Sequence, residues 1–167
     1  DTKVAEFGIA CEACHGPGRE HIERNDSVLQ RYRQHTSQDA DETIVLPSRL
    51  SAQRQSEVCG QCHSVSMRGS DFKTWLKEGF AFRPGEELQE TRHVFRGGAH
   101  ADHPLTQKRL EEEPLFLEER FWSDGMVRIS GREYNGLIES PCYQHGDESR
   151  GGLSCLSCHE MHVKAED

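Results

Sequence analysis

Cysteine and histidine recur in one fixed spacing along this chain. Two cysteines separated by two residues and followed at once by a histidine occur at residues 11–15, 59–63 and 155–159. Every cysteine except Cys142 belongs to one of these pentapeptides. On a helix, residues i, i+3 and i+4 lie on one face. The spacing therefore predicts that each pentapeptide presents two sulfurs and one imidazole on the same side.

That arrangement fits the covalent attachment of haem. Two thiols on one face can add to the two vinyl groups of a porphyrin, and the histidine that follows can bind the iron. The repeated pattern predicts three covalent c-type haems. The residues predicted to hold them are Cys11, Cys14, His15, Cys59, Cys62, His63, Cys155, Cys158 and His159.

Other uses of paired cysteines are alternatives that fit this pattern less well. A structural zinc site needs four ligands, usually with a wider histidine spacing. A thioredoxin-like site needs one pair beside a βαβ unit. A disulfide framework gives the adjoining histidines no role and leaves Cys142 unpaired. We expect Cys142 to be a small buried side chain, with axial ligation or cross-linking to another chain as alternatives.

Further histidines could supply the second axial ligand of each iron. His21 follows the turn expected at Gly16-Pro17-Gly18, and His162 lies three residues after His159. Neither can easily reach the far side of its own haem, so each is predicted to bind a neighbouring iron. The candidates for the remaining position are His93, His100, His103 and His145.

The composition is poor in apolar residues for a chain of 167. Hydrophobic residues make up 34% of it and charged residues 29%, and the mean hydropathy is -0.81. Haems would supply the missing apolar surface, so we expect them to form the core and the haem-free chain not to fold.

The net charge of -9 argues against a nucleic-acid partner. No apolar run approaches the ~18 residues that predict a transmembrane segment.

The local patterns predict a mainly α fold with extensive coil, one small β-hairpin and a single domain over residues 1–167. Residues 79–104 are expected to be an irregular loop, and Asp124-Gly125 predicts the turn of the hairpin at residues 121–129. Ser48, Ser70 and Thr106 are predicted helix caps. Predicted helices cover residues 19–35, 48–63, 71–77, 107–113 and 132–139.

Several longer segments resemble a known family. The segments GIACEACHGPGREH, VCGQCHS, FRPGEEL, SDGMVRISGREYNGLIESPCY and LSCLSCHEMH resemble successive blocks of multihaem c-type cytochromes. The nearest groups are the tetrahaem electron acceptors of hydroxylamine oxidoreductase and the tetratricopeptide-associated multihaem cytochromes. The resemblance covers most of the chain, weakly between motifs. Some relatives have a histidine where this chain has Ser140-Pro141-Cys142-Tyr143, so His145 or Cys142 is expected to substitute there.

The resemblance implies electron transfer through stacked haems with bis-histidine ligation, and it implies His21 and His162 as distal ligands. It also implies further haem blocks upstream, so the chain is expected to be a fragment of a longer protein. Covalent haem of this type is attached after export in bacteria, which predicts a periplasmic or extracellular location. Redox proteins, other haem domains or other subunits are the expected partners.

Electron transfer is the leading functional hypothesis, and two others stay open. The chain could be a reductase of nitrogen or sulfur oxyanions, which would need one iron with an open sixth position. It could also be a subunit of a haem-bearing filament or complex, with distal ligands exchanged between chains. The spin state of the ferric protein discriminates between a carrier and an enzyme.

Overall fold

A computed structural model describes residues 9–37, 39–69, 72–146 and 152–162. The described chain is mainly helical, as the sequence predicts. Short 3-10 turns lie at Pro47–Arg49, Gly98–His100 and Cys155–Ser157. The α-helices are α1 (Cys11–His15), α2 (Arg19–Arg24), α3 (Val28–Thr36), α4 (Ala52–His63), α5 (Phe72–Glu78), α6 (Leu88–Thr91), α7 (Pro104–Glu112), α8 (Phe116–Arg120), α9 (Glu133–Glu139) and α10 (Pro141–Gln144).

The strand pair of the described chain lies elsewhere than predicted. Strand β1 (Ser66–Arg68) pairs antiparallel with β2 (Arg92–Val94). Strand β2 lies inside residues 79–104, the segment expected to be an irregular loop, and β1 lies before it. At the predicted hairpin, the chain makes a tight turn at Gly125, whose φ is 89°, and a single bridge between Phe121 and Val127. The Asp-Gly turn was thus predicted correctly, but the residues around it form no continuing ladder.

Helix boundaries differ from the predictions where side chains cap the backbone. The helix expected over residues 19–35 is two helices, because Ser27 accepts a hydrogen bond from the Gln30 amide and starts α3 anew. Helix α4 begins after Ser51, which caps it, rather than at Ser48. Helix α7 is capped by His103 instead of Thr106. The helix expected at 71–77 is α5, and its predicted cap, Ser70, lies outside the described residues.

Two clusters of side chains form an ordinary core in the middle of the chain. The first joins Val65, Phe95, Phe116 and Phe121. The second joins Phe82, Leu88, Val94 and Tyr134. In this region aromatic and aliphatic side chains bury one another, and a core formed by haems stays a prediction.

Helix α4 is the scaffold against which the second cluster packs. A Cβ on Gly60 would stand 3.0 Å from the side chains of Leu88 and Tyr134. Glycine therefore lets α6 and α9 approach the backbone of α4 closely. Asn135 ties α9 to the strands: its Oδ1 accepts from the Val65 amide at 2.6 Å, and its Nδ2 donates to the Phe95 carbonyl at 2.7 Å.

The region before α4 has no comparable core. Among the described residues of 9–46, the buried positions are Gly16, Gly18 and Asp41, and no hydrophobic side chain is buried. Ile22, Val28, Leu29 and Tyr32 are all more than half exposed. No helix of the described chain is both long and apolar enough to cross a membrane.

Candidate functional site

All three pentapeptides adopt helical geometry. The first is α1, and the second is the last turn and a half of α4. The third begins with the 3-10 turn at Cys155–Ser157, and the His159 amide donates to the Cys155 carbonyl at 3.0 Å. In each pair one cysteine is exposed and the other is half-buried, and all seven thiols are free. Each pair can therefore react with a ligand that approaches from the surface.

The first and third pentapeptides meet on helix α4. Gln61, inside the second pentapeptide, donates from Nε2 to the Ala13 carbonyl of the first at 2.7 Å. On the other side, the Ser154 hydroxyl donates to Gln55 Oε1 at 2.6 Å, and the Cys155 amide donates to Ser56 Oγ at 3.4 Å. Segments separated by 48 and 99 residues in sequence are thus held against one helix.

Thiols of different pentapeptides shift one another's pKa at this junction. A hydrogen bond between Cys59 and Cys155 raises the pKa of the Cys59 thiol and lowers the pKa of Cys155 to about 6. Burial, followed by the nearby charge of Cys62, raises the pKa of Cys14. Cys59 therefore lies beside the third pentapeptide, and Cys62 lies beside the first.

The imidazole of His15 is oriented as an iron ligand would need to be. Its Nδ1 donates to the Val45 carbonyl at 2.8 Å, while the Val45 amide donates to the His15 carbonyl at 3.0 Å. A proton on Nδ1 leaves the lone pair on Nε2, the atom that binds metal. His63 has the same arrangement, because its Nδ1 donates to Glu133 Oε2 at 3.1 Å.

Glu133 is held as an anion at its end of this contact. Backbone amides of Glu133 itself and of Gly131, followed by His63, lower the pKa of the Glu133 carboxyl. The Gly131 amide donates to its Oε1 at 2.8 Å. Both His63 and Glu133 are more than half exposed, with 53% and 68% of their side chains accessible, so water screens this pair.

His21 is oriented by a buried carboxylate. The turn at Gly16, with φ 78°, and the bond from the Gly18 amide to Glu12 Oε1 at 2.6 Å direct the chain into α2. From α2, His21 Nδ1 donates to Asp41 Oδ2 at 3.0 Å. Hydrogen bonds, first of all from the Thr43 hydroxyl, hold the pKa of Asp41 well below its usual range. Among the described residues, no hydrogen bond to His21 Nε2 is formed.

The ring of His162 lies next to the ring of His15. The two centroids are 5.8 Å apart, with the rings tilted by 37°. Two imidazoles on opposite sides of one iron have centroids about 6 Å apart, since each metal–nitrogen bond is about 2 Å long. The chain that follows the third pentapeptide thus brings His162 next to His15 of the first, and ligation of an iron by His162 stays a prediction.

The other predicted distal histidines are engaged differently. The rings of His93 and His103 stack at 4.2 Å. His93 Nε2 lies 3.0 Å from the Thr106 hydroxyl, and His103 Nδ1 accepts from the Leu105 amide at 3.2 Å. Burial, followed by the neighbouring His103, lowers the pKa of His93. His145 and His159 are exposed, and ligation by His93, His103 and His145 stays a prediction.

A wide cleft of about 1010 Å³ lies on the opposite side of α4 from its cysteines. Its walls include Gln53 and Glu57 of α4, together with the stacked His93 and His103. No pentapeptide residue lines it. Since residues 53, 57 and 60 share one helical face and residues 59, 62 and 63 share another, this cleft is separate from the candidate attachment face.

The donor set suits a haem better than a bare metal ion. Within the described ranges, no three side chains of histidine, cysteine, aspartate or glutamate are placed to hold a metal ion by themselves. A porphyrin supplies four of its own nitrogens, so one or two imidazoles suffice. The exposed apolar side chains of α2 and α3 also match a large apolar ligand, because such patches mark interaction sites.

The partners of the imidazole Nδ1 atoms could not be identified from the sequence. Val45, Asp41 and Glu133 lie 30, 20 and 70 residues from the histidines that they orient. A carbonyl oxygen carries no residue signal at all, and the two acids are two among 29. Only the fold selects them.

Comparison with known proteins does not place the chain in a family: no family model, no curated protein and no solved structure matches it.

Proposed function

We propose that this protein carries electrons through three covalently bound c-type haems. The observation that supports this most is the meeting of three Cys-x-x-Cys-His pentapeptides on one helix, with His15 Nδ1 held by the Val45 carbonyl and His162 facing the same ring. Haem iron supplies one-electron chemistry because it is stable as both ferric and ferrous ion.

The cysteines would anchor the haems and the histidines would set the iron environment. His15, His63 and His159 are the proximal ligands of this proposal, and His162 is the distal ligand opposite His15. His21 is the distal ligand of a neighbouring haem. The carbonyl of Val45 and the carboxylate of Glu133 fix the ring orientation of two proximal ligands.

The contacts of α4 support an order in which the second haem stands between the other two. Gln61 is hydrogen-bonded to Ala13 of the first pentapeptide, and Ser56 is hydrogen-bonded to Cys155 of the third. Thioether anchors so close together would bring neighbouring porphyrin edges near contact. A chain of such edges is what electron transfer over the length of the molecule requires, because the electron moves between adjacent cofactors.

Location and partners follow from the same proposal. Haem of this type is attached outside the bacterial cytoplasm, so the protein would work in the periplasm or at the cell exterior. The net charge of -9 would favour a redox partner with a basic docking surface. Other haem domains or subunits would continue the electron path in a longer assembly.

The test is the intact mass and optical spectrum of protein made in a bacterium that matures c-type cytochromes. We expect a mass equal to the polypeptide plus three haems, and a pyridine haemochrome spectrum typical of thioether-linked haem. Replacing both Cys59 and Cys62 by Ala should remove one haem, whereas the control Cys142→Ala should remove none. A colourless product with the mass of the bare chain overturns the proposal.

A second candidate is a multihaem reductase. His93, Arg92 and Tyr143 can bind an anion and move protons, although the cleft that they line is separate from the attachment face. This function needs an iron with an open sixth position. EPR of the ferric protein should then contain a high-spin signal that changes with nitrite, hydroxylamine or carbon monoxide. Entirely low-spin, unresponsive haems would leave the electron carrier as the function.

A further inference from the structure

The buried carboxylate of Asp41 is the starting point. Asp41 is only 7% exposed, and among the described residues no lysine or arginine is paired with it. A buried charge without a cationic partner is costly unless hydrogen bonds satisfy it. A group of this kind in a loop between α3 and α4 calls for an explanation beyond local packing.

The four lone-pair sites of Asp41 are all used. Oδ1 accepts from the amide of Thr43 at 2.9 Å and from the hydroxyl of the same residue. Oδ2 accepts from Asn25 Nδ2 at 3.0 Å and from His21 Nδ1 at 3.0 Å. Three of these donors are neutral and fixed, so the network keeps the carboxylate charged and aims one oxygen at His21.

The contact with Asp41 determines which ring nitrogen of His21 keeps a lone pair that can bind iron. An ionised carboxylate can only accept, so the proton of His21 must lie on Nδ1 and the lone pair on Nε2. Asn25 also donates from Nδ2 to the His21 carbonyl at 3.0 Å. The same asparagine thus holds both the backbone of His21 and the carboxylate that orients its ring.

The three oriented histidines differ in what holds them. His15 donates to a neutral carbonyl, and His63 donates to a carboxylate that is 68% exposed. Asp41, in contrast, is buried, where a charge is screened less by water and by salt. Among the three histidines, His21 is therefore the one whose imidazole is affected most strongly by a neighbouring negative charge.

From this contrast we propose that Asp41 is a positioning residue for His21, and that it lowers the reduction potential of the iron that His21 binds. The inference rests on the proposed haem function. A carboxylate bonded to Nδ1–H raises the basicity of the ligand. A more basic ligand stabilises ferric over ferrous iron, and hydrogen bonding around the iron ligands is a known determinant of potential.

The test is a potentiometric titration of the three-haem protein and its Asp41→Asn variant. Asparagine keeps the shape and one acceptor oxygen but removes the charge. We expect one of the three midpoint potentials to rise by about 59 mV, which corresponds to a tenfold change in a one-electron equilibrium. The EPR signal of the same haem should move, while the haem count and the other two potentials stay the same.

The matched control is Glu133→Gln, which neutralises the exposed carboxylate on His63. The change in midpoint potential caused by Glu133→Gln should be clearly smaller than the change caused by Asp41→Asn, because water already screens the charge of Glu133. The variant Asp41→Glu restores a charge and should return the potential toward that of the unchanged protein. Equal shifts in the two neutralised variants, or no shift with Asp41→Asn in a fully loaded protein, overturn the inference.

A second variant covers the case in which Asp41→Asn does not fold. Thr43→Val removes the hydroxyl that donates to Oδ1 and leaves Asn25, the carboxylate and His21 in place. More of the carboxylate charge then acts on His21, so the same potential should fall. An unchanged potential would contradict the inference. Absence of haem from the unmodified protein is a different result, since it overturns the proposed function itself.

Discussion

The chain contains two regions that are held together in different ways. Residues 52–140 bury aromatic and aliphatic side chains in two clusters, whereas the described residues of 9–46 bury two glycines and one aspartate. Yet both regions form regular helices, and a serine side chain caps α3 in the first region and α4 in the second. Isolated helices as short as α2 and α3 are not stable in water. Since no hydrophobic side chain is buried among the described residues of 9–46, we expect the first region to need a partner surface, which in our proposal is haem.

The largest expected effect follows from removing that partner. In a Cys11→Ala and Cys14→Ala double variant, the first haem has no covalent anchor. We expect amide exchange in α2 and α3 to become faster, tenfold for each ~1.4 kcal/mol of local stability lost. Exchange in α9 should change little. Hydrogen-exchange mass spectrometry of the full protein measures both regions at once.

The lone cysteine provides the control for this experiment. Cys142 was expected to be buried, but it is exposed, since it lies at the surface in the short helix α10. Cys142→Ala therefore alters an exposed thiol outside the pentapeptides and should leave the exchange pattern unchanged. Protection of α2 and α3 that persists in the double variant would contradict the distinction between the two regions.

The second largest effect is expected in the region with its own core. Phe95 is 2% exposed and packs on Phe116 with ring centroids 4.6 Å apart. Phe95→Ala should lower the free energy of unfolding by about 3–5 kcal/mol, since it removes buried surface and leaves a cavity. Chemical denaturation followed by circular dichroism measures this change.

Two exposed leucines sharpen the comparison. Leu115, 56% exposed beside the core, and Leu29, 58% exposed on α3, are equally accessible. Leu115→Ala should change the free energy of unfolding by about 0.5 kcal/mol or less. If α3 covers a haem, Leu29→Ala should lower the free energy of unfolding clearly more than Leu115→Ala does. Equal small effects would mean that nothing packs on the apolar face of α3.

The two regions also differ in how far the sequence could predict them. The pentapeptide spacing predicted the helical presentation of Cys11, Cys14 and His15, because one turn of helix is a local property. The pairing of β1 with β2 was missed, since three-residue strands 23 residues apart carry no periodic signal. The Asp41–His21 contact was missed for the same reason: only the tertiary fold brings distant residues together.

Asn135 provides a third, smaller test of the region with its own core. Its side-chain amide satisfies the Val65 amide and the Phe95 carbonyl, and it is 1% exposed. Asn135→Ala should lower the free energy of unfolding by about 2–3 kcal/mol, because two buried backbone groups lose their hydrogen-bond partner. The control is Gln144→Ala, whose exposed amide donates to the Ile138 carbonyl at 3.1 Å. Similar costs in both variants would contradict the structural role of Asn135.

A last test concerns α4, the helix on which the two regions meet. In Gly60→Ala, the added methyl group would lie 3.0 Å from Leu88 and Tyr134. Overpacking of about 1–3 kcal/mol then exceeds the ~0.5–1 kcal/mol that alanine gains over glycine in a helix. The net loss, measured by denaturation, should be about 1 kcal/mol.

Gly136→Ala is the matched control for this substitution, because its added methyl group would meet Val127 at 3.4 Å and Met126 at 3.8 Å. That variant should be neutral or slightly more stable. A Gly60→Ala protein that is equally stable would mean that α6 and α9 do not press on α4. In that case the side-chain core and the cysteine-bearing face would be mechanically independent, and a change in one would leave the other unaffected. A destabilised variant that also shifts the potential of the second haem would instead show that α4 transmits packing strain to the iron ligands.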